Sequence, residues 1–178
     1  MKMAKILSIL GLSVALAFFF ESTGRAQPKP MTNPPVITHA FAVDKGPYGY
    51  IWKVYIEAED PDGDMARIAL AVDQPGVGRY PTDWIVLKPQ YQKHLKGYIQ
   101  WNTHSVSGDV QEWTMVALRV TIFDKAGNES NVAVFHFTFE MVEKNPYKYK
   151  LPPPFDQGDI PRLGYINIDL IAPMGGNR

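Results

Sequence analysis

The segments Asp60-Pro61-Asp62-Gly63-Asp64 and Asp124-Lys125-Ala126-Gly127-Asn128 decide the fold of this 178-residue chain, because each joins two stretches in which apolar and polar residues alternate. Before the first, Ile51 to Glu59 places Trp52, Val54, Ile56 and Ala58 on one face and Lys53, Tyr55 and Glu57 on the other. After it, Ala66 to Asp73 turns Ile68, Leu70 and Val72 inward and Arg67, Ala69 and Ala71 outward. Around the second, Trp113 to Phe123 sets Val116, Leu118, Val120 and Ile122 against Met115, Ala117, Arg119 and Thr121. Asn131 to Val142 then sets Ala133, Phe135, Phe137 and Phe139 against Val134, His136, Thr138 and Glu140. A period of two is that of a strand with one buried face. The reversals have their own chemistry: Asp124 can hydrogen-bond its turn backbone, Gly127 accepts positive φ without steric cost, and Asn128 tolerates the same region.

Working outward, Val36 to Asp44 reads as a first strand, followed by a Gly46-Pro47-Tyr48-Gly49 turn, and Gly97 to Trp101 reads as another strand. Gln74 to His94 is rich in Pro, Gly and Tyr and offers one short strand, Trp84 to Leu87. About seven short strands between residues 36 and 142, with no helical pattern after residue 26, predict an all-β chain folded as an immunoglobulin-like β-sandwich. The run Val120 to Asn131, leading into a strand, resembles the closing hairpin of bacterial Ig-like and fibronectin type III-like domains of secreted proteins. Pro34-Pro35-Val36-Ile37 and Glu57 to Asp64 are similar to the same group, so the resemblance covers residues 34 to 142. It implies the sandwich and a role as spacer, adhesin or accessory module, since such domains serve many functions.

The two ends read differently. Lys2 and Lys5 precede an apolar run of 15 residues, Ile6 to Phe20, and Gly24-Arg25-Ala26 supplies small residues where a signal peptidase reads. Residues 1–26 are therefore expected to be a cleaved signal peptide. The run is short of the roughly 20 residues a membrane span needs, so no stable span is expected after cleavage, and the chain is expected in the periplasm, at the cell surface or in the medium. Residues 27–35, with Pro28, Pro30, Pro34 and Pro35, read as an extended linker. Residues 143–178 form an extended, Pro-rich C-terminal arm with one strand-like run, Leu163 to Ala172.

Composition excludes several functions. Of 18 basic and 18 acidic residues, cleavage removes Lys2, Lys5 and Arg25 on one side and Glu21 on the other, leaving 15 against 17 and a net charge of about −2. Without clustered Lys and Arg, nucleic acid is not expected as a partner. The absence of cysteine excludes disulfides, thiolate zinc sites, a thiol nucleophile and lipid attachment through Cys. His39, His94, His104 and His136 are far apart and none sits in an H-E-x-x-H pattern. Gly76-Val77-Gly78 lacks phosphate-loop spacing, and no G-x-S-x-G elbow occurs. No enzyme activity and no cofactor are expected.

Three features remain as candidate sites. Asp60, Asp62 and Asp64 place three carboxylates within five residues, a density that suits Ca²⁺, with Asp124 or Glu129 available to complete a site if the turns share one end of the sandwich. The spacing departs from an EF-hand, and a solvated turn chosen for Asp and Gly propensity is the simpler reading. Tyr80, Trp84 and Tyr91 lie in the Pro-rich insertion and are candidates for an exposed platform on which a glycan stacks. In the arm, Ile166, Ile168 and Leu170 alternate with Tyr165, Asn167 and Asp169. A lone strand must pair with some sheet edge to satisfy its backbone, either on its own sandwich or on a neighbour's by strand addition. The leading expectation is a structural or interaction protein of the cell envelope that assembles with itself or another protein through Tyr165, Ile166, Ile168 and Leu170; the alternative is a glycan-binding accessory module, with calcium assisting.

Overall fold

The computed structural model describes residues 33–47, 49–103, 114–140 and 148–171. The expected signal peptide, most of the linker, Tyr48, His104, Trp113 and the start of the arm lie outside the described residues. Ten strands occur among them: β1 (Val36–Phe41), β2 (Lys45–Gly46), β3 (Ile51–Glu59), β4 (Met65–Gln74), β5 (Gly78–Arg79), β6 (Asp83–Val86), β7 (His94–Asn102), β8 (Met115–Asp124), β9 (Ala133–Phe139) and β10 (Arg162–Ile166). A 3-10 turn, Pro89–Tyr91, precedes β7.

The strands form two packed sheets. One has four strands in the order β1-β3-β7-β10, and the other runs β2-β9-β8-β4 with β5 and β6 both on the far side of β4. In the immunoglobulin scheme β1, β3 and β7 correspond to strands A, B and E, and β4, β8 and β9 to C, F and G. β10 pairs with β7 in parallel and takes the place that strand D completes in that scheme. The fold is thus the expected all-β sandwich.

The inward positions read from the alternation meet between the sheets. Trp52, Val54, Ile56, Ile68, Leu70, Val72, Val116, Leu118, Val120, Ile122 and Phe137 all belong to one buried cluster. Trp52 sits at its centre, 4.8 Å from the Phe137 ring and 5.9 Å from Trp101 between centroids, and donates its indole N–H to the Val43 carbonyl at 2.8 Å. That bond satisfies the polar handle a buried tryptophan carries.

Three local expectations are corrected. β7 begins at His94, three residues before the expected Gly97, and matches β3 over its whole length from Ile51↔Asn102 to Glu59↔His94. Its inward row is Leu95, Gly97, Ile99 and Trp101, and Gly97 has no side chain with which to mark the alternation. β1 ends at Phe41, short of the expected Asp44, because the chain crosses to the other sheet, where Lys45 and Gly46, the latter expected in a turn, pair with β9 as Lys45↔Thr138 and Gly46↔Phe139. A Cβ on Gly46 would stand 2.9 Å from both the Phe137 and Tyr50 rings, so the crossing needs a glycine. The insertion holds β5 and β6, each hydrogen-bonded to β4.

Candidate functional site

The two acidic turns share one end of the sandwich: Met65 stands opposite Asp124, and Lys125 N–H donates to the Asp64 carbonyl at 3.0 Å. Asp60 is buried, and its carboxylate accepts the backbone N–H groups of Asp62 at 2.9 Å, Gly63 at 3.3 Å and Asp64 at 3.2 Å. Asp124 likewise accepts from the Asn128 backbone at 2.8 Å and from its amide at 2.7 Å. Both carboxylates therefore act as turn caps. Asp62 lies outward and takes a 3.4 Å contact from the Asn33 amide. Burial first, and then the neighbouring Asp60 carboxylate, raise the Asp64 acid above its ordinary range. Among the described residues no group of three or more His, Cys, Asp or Glu is placed to hold a metal ion. Main-chain donors occupy the Asp60 carboxylate, so the calcium ligands expected at Asp60, Asp62 and Asp64 are not grouped as a metal set among the described residues.

The histidines next to carboxylates are surface pairs. His39 Nδ1 lies 3.0 Å from Glu57 and His94 Nδ1 lies 3.8 Å from Glu59, with both imidazoles more than half exposed.

The aromatic platform separates into three different environments. Tyr80 is buried; its hydroxyl donates to Gln74 Oε1 at 2.5 Å and accepts Ile171 N–H at 2.8 Å. Tyr91 is half-buried against the core. Only Trp84 is open, 42% exposed on the outer face of the six-stranded sheet. Tyr80, Trp84 and Tyr91 therefore do not share one exposed platform: Tyr80, Ile85 and Leu87 face inward, a period that the short strands conceal among Pro and Gly.

Trp84 instead meets residues from neighbouring strands. Arg67 on β4 pairs with both Val86 on β6 and Phe123 on β8, while Ala69 pairs with Trp84 and with Thr121. The Arg67 guanidinium lies 4.3 Å from the Trp84 ring centre and 5.5 Å from that of Phe123, and the two rings are 5.5 Å apart edge to face. Such cation–π contacts hold a guanidinium flat while leaving its N–H edge free to donate. Six residues along β4 from Arg67, Asp73 holds two further guanidiniums, Arg79 through a fork of 2.7 and 2.9 Å and Arg119 at 3.1 Å. The Arg79 hydrogen bond, followed by Arg119, holds the Asp73 carboxyl below its ordinary range. A shallow depression of about 490 Å³ lies there between Asp73, Arg79, Met115 and His136. Arg67 and Phe123 were absent from the sequence candidates, although both fall on outward positions of their strands.

The arm packs onto the chain that bears it. Phe155 is buried against Tyr55, ring centres 5.7 Å apart, and Lys96 Nζ donates to the Pro154 carbonyl at 2.6 Å. Tyr98 N–H donates to the Pro161 carbonyl at 2.9 Å, after which β10 runs along β7 to Ile166↔Trp101. Beyond Ile166 the arm leaves the ladder and side chains take over: Trp101 Nε1–H donates to Ile168 O at 2.8 Å, Asn167 N–H to Asp83 Oδ2 at 2.7 Å, and Gln74 Nε2–H to Ile171 O at 2.9 Å. Ile166, Ile168 and Leu170 are buried in this chain's own core, and of the four expected assembly residues Tyr165 alone is open, 47% exposed. Assembly through the other three would require the arm to undock first.

The fold and this arrangement define the class: an immunoglobulin-like β-sandwich whose C-terminal arm supplies a fourth strand to its smaller sheet. No family model and no curated protein matches the chain. Among solved structures the chain is similar to the PKD domain of an M14-like peptidase from a Thermoplasmatales archaeon, at 19% identity over 62% of this chain and 100% of that one, with a TM-score of 0.42. No helix among the described residues is long and apolar enough to cross a membrane.

Proposed function

We propose that this chain is an exported, non-catalytic interaction module of the cell envelope or extracellular space, closed by its own C-terminal strand and meeting its partner on the outer face of the six-stranded sheet. Export is supported by the charged, apolar and small-residue sequence of residues 1–26. The observation that carries the binding surface is Arg67 held between Trp84 and Phe123. Exposed tryptophan beside arginine is the chemistry that binding hot spots concentrate. Val86, Met115 and Val134, all exposed, extend the apolar area of the same face. Purification of the tagged full chain from its host at native level tests this reading. A partner is expected to travel with it and to be lost on Trp84→Ala, and a partner retained by Trp84→Ala and Met115→Ala chains would contradict it.

A second reading, assembly with another copy, is favoured by the position of β10 on the β7 edge. That edge is the same in every copy, so one copy's arm can take the place of another's by exchange. A tethered arm competes at an effective concentration of about a millimolar, and exchanged dimers are therefore expected only at high protein concentration.

A further inference from the structure

The outer face of the six-stranded sheet carries unbalanced positive charge. The charged side chains that β4, β5 and β8 turn to it are Arg67, Arg79, Arg119 and Asp73, with His136 from β9. Asp73 is spent on Arg79 and Arg119. The partners of Arg67 are the rings of Trp84 and Phe123, so no carboxylate among the described residues neutralises it. Arg67 and Arg119 stand four residues apart in register, through Arg67↔Phe123 and Ala71↔Arg119, which is about 13 Å along a strand at roughly 3.3 Å per residue. Between them Thr121, paired with Ala69, offers a hydroxyl.

We infer that this face binds an acidic polysaccharide, a chain of uronic-acid type, with a sugar ring stacked beside Trp84 and its carboxylate on the free N–H edge of Arg67. The inference rests on reading this face as the binding surface and supplies its ligand class. Three features of the face fit an anionic glycan. The Trp84 indole, 42% exposed, offers a flat apolar surface beside which a sugar ring can lie. The guanidinium is planar and held by rings, a geometry suited to a carboxylate fork. The edge of β4 that a peptide strand would extend is already taken by β5 and β6, and the Asp83 side chain at the start of β6 is bonded to Asn167 of the arm.

The test is retention of the full chain on immobilised polygalacturonate, beside the same polymer with its carboxyls reduced and beside poly-glutamate. Binding to polygalacturonate is expected, weakened by salt and by carboxyl reduction, and lowered at least about tenfold by Arg67→Glu and by Trp84→Ala, the loss that about 1.4 kcal/mol represents. Thr121→Asp adds an opposing charge without touching the stacked rings, and it is expected to lower binding with an unchanged melting temperature. Equal binding to the reduced polymer would overturn the anionic ligand while keeping the face. Retention on poly-glutamate alone would overturn it in favour of an acidic protein. No retention on any polymer would overturn the inference and leave the face itself to be judged by the Trp84→Ala purification. Polygalacturonate binding indifferent to Arg67→Glu, Trp84→Ala and Thr121→Asp would overturn the inference and the face together.

Discussion

At Asp64 the first turn closes on a carboxyl oxygen, Oδ1, that is buried without a hydrogen-bond partner, and burial together with Asp60 raises the acid's pKa. An acid raised in the folded state holds its proton more tightly there than in the unfolded chain. Its contribution to stability is present below the unfolded pKa and is lost as pH rises through the folded one. Asp64→Asn is therefore expected to stabilise the protein at pH 7 by less than about 1 kcal/mol and to change little near pH 3. Urea melts at the two values measure this, and a loss of stability at pH 7 would show that the ionised carboxylate is needed. The capping chemistry of Asp60 and Asp124 was legible because donor and acceptor lie within four residues. Tyr80 was not legible, since the amide it receives belongs to Ile171, 91 residues away. Phe123 was legible in principle, as an aromatic on an outward position, but only the register that brings Arg67 and Trp84 beside it gives that position a meaning.

Among the elements, the long strands announced themselves and the short ones did not. β3, β4 and β8 each present at least nine residues to the alternation, and their inward rows were read correctly. β2 and β5 have two residues each, too few for any period to show. β10 stops at Ile166 although Ile168 and Leu170 remain buried, because the arm passes from the β7 edge toward the second sheet and exchanges ladder bonds for those of Trp101, Gln74 and Tyr80. Two glycines permit this docking. A Cβ on Gly97 would stand 2.6 Å from the Leu163 side chain and 2.8 Å from the Pro161 carbonyl, and one on Gly164 would stand 2.8 Å from Ile85. Neither approach leaves room for a methyl group. Gly97→Ala is thus expected to loosen the arm while the β3–β7 ladder persists, since that ladder is made by backbone. Limited proteolysis would read it as faster cleavage between residues 156 and 171, and unchanged protection of the arm would contradict the close approach.

At the scale of the molecule, a cysteine-free chain depends on the area its sheets bury. Ile166, Ile168 and Leu170 fill one side of that core, and Phe155 is buried against Tyr55 on the other face of the smaller sheet. At about 1.5–3 kcal/mol for each large apolar side chain buried, they are comparable with the whole stability of a typical domain, about 5–15 kcal/mol. The arm therefore belongs to the folding unit, and the partner surface is the face it leaves open. The most direct measurement is amide hydrogen exchange of the chain at low and high protein concentration, followed by mass spectrometry. Residues 162–171 are expected to be protected to the same degree as β7 at both concentrations. Rapid exchange of that segment in the dilute monomer, with protection appearing only as the chain associates, would contradict a sandwich closed by its own arm.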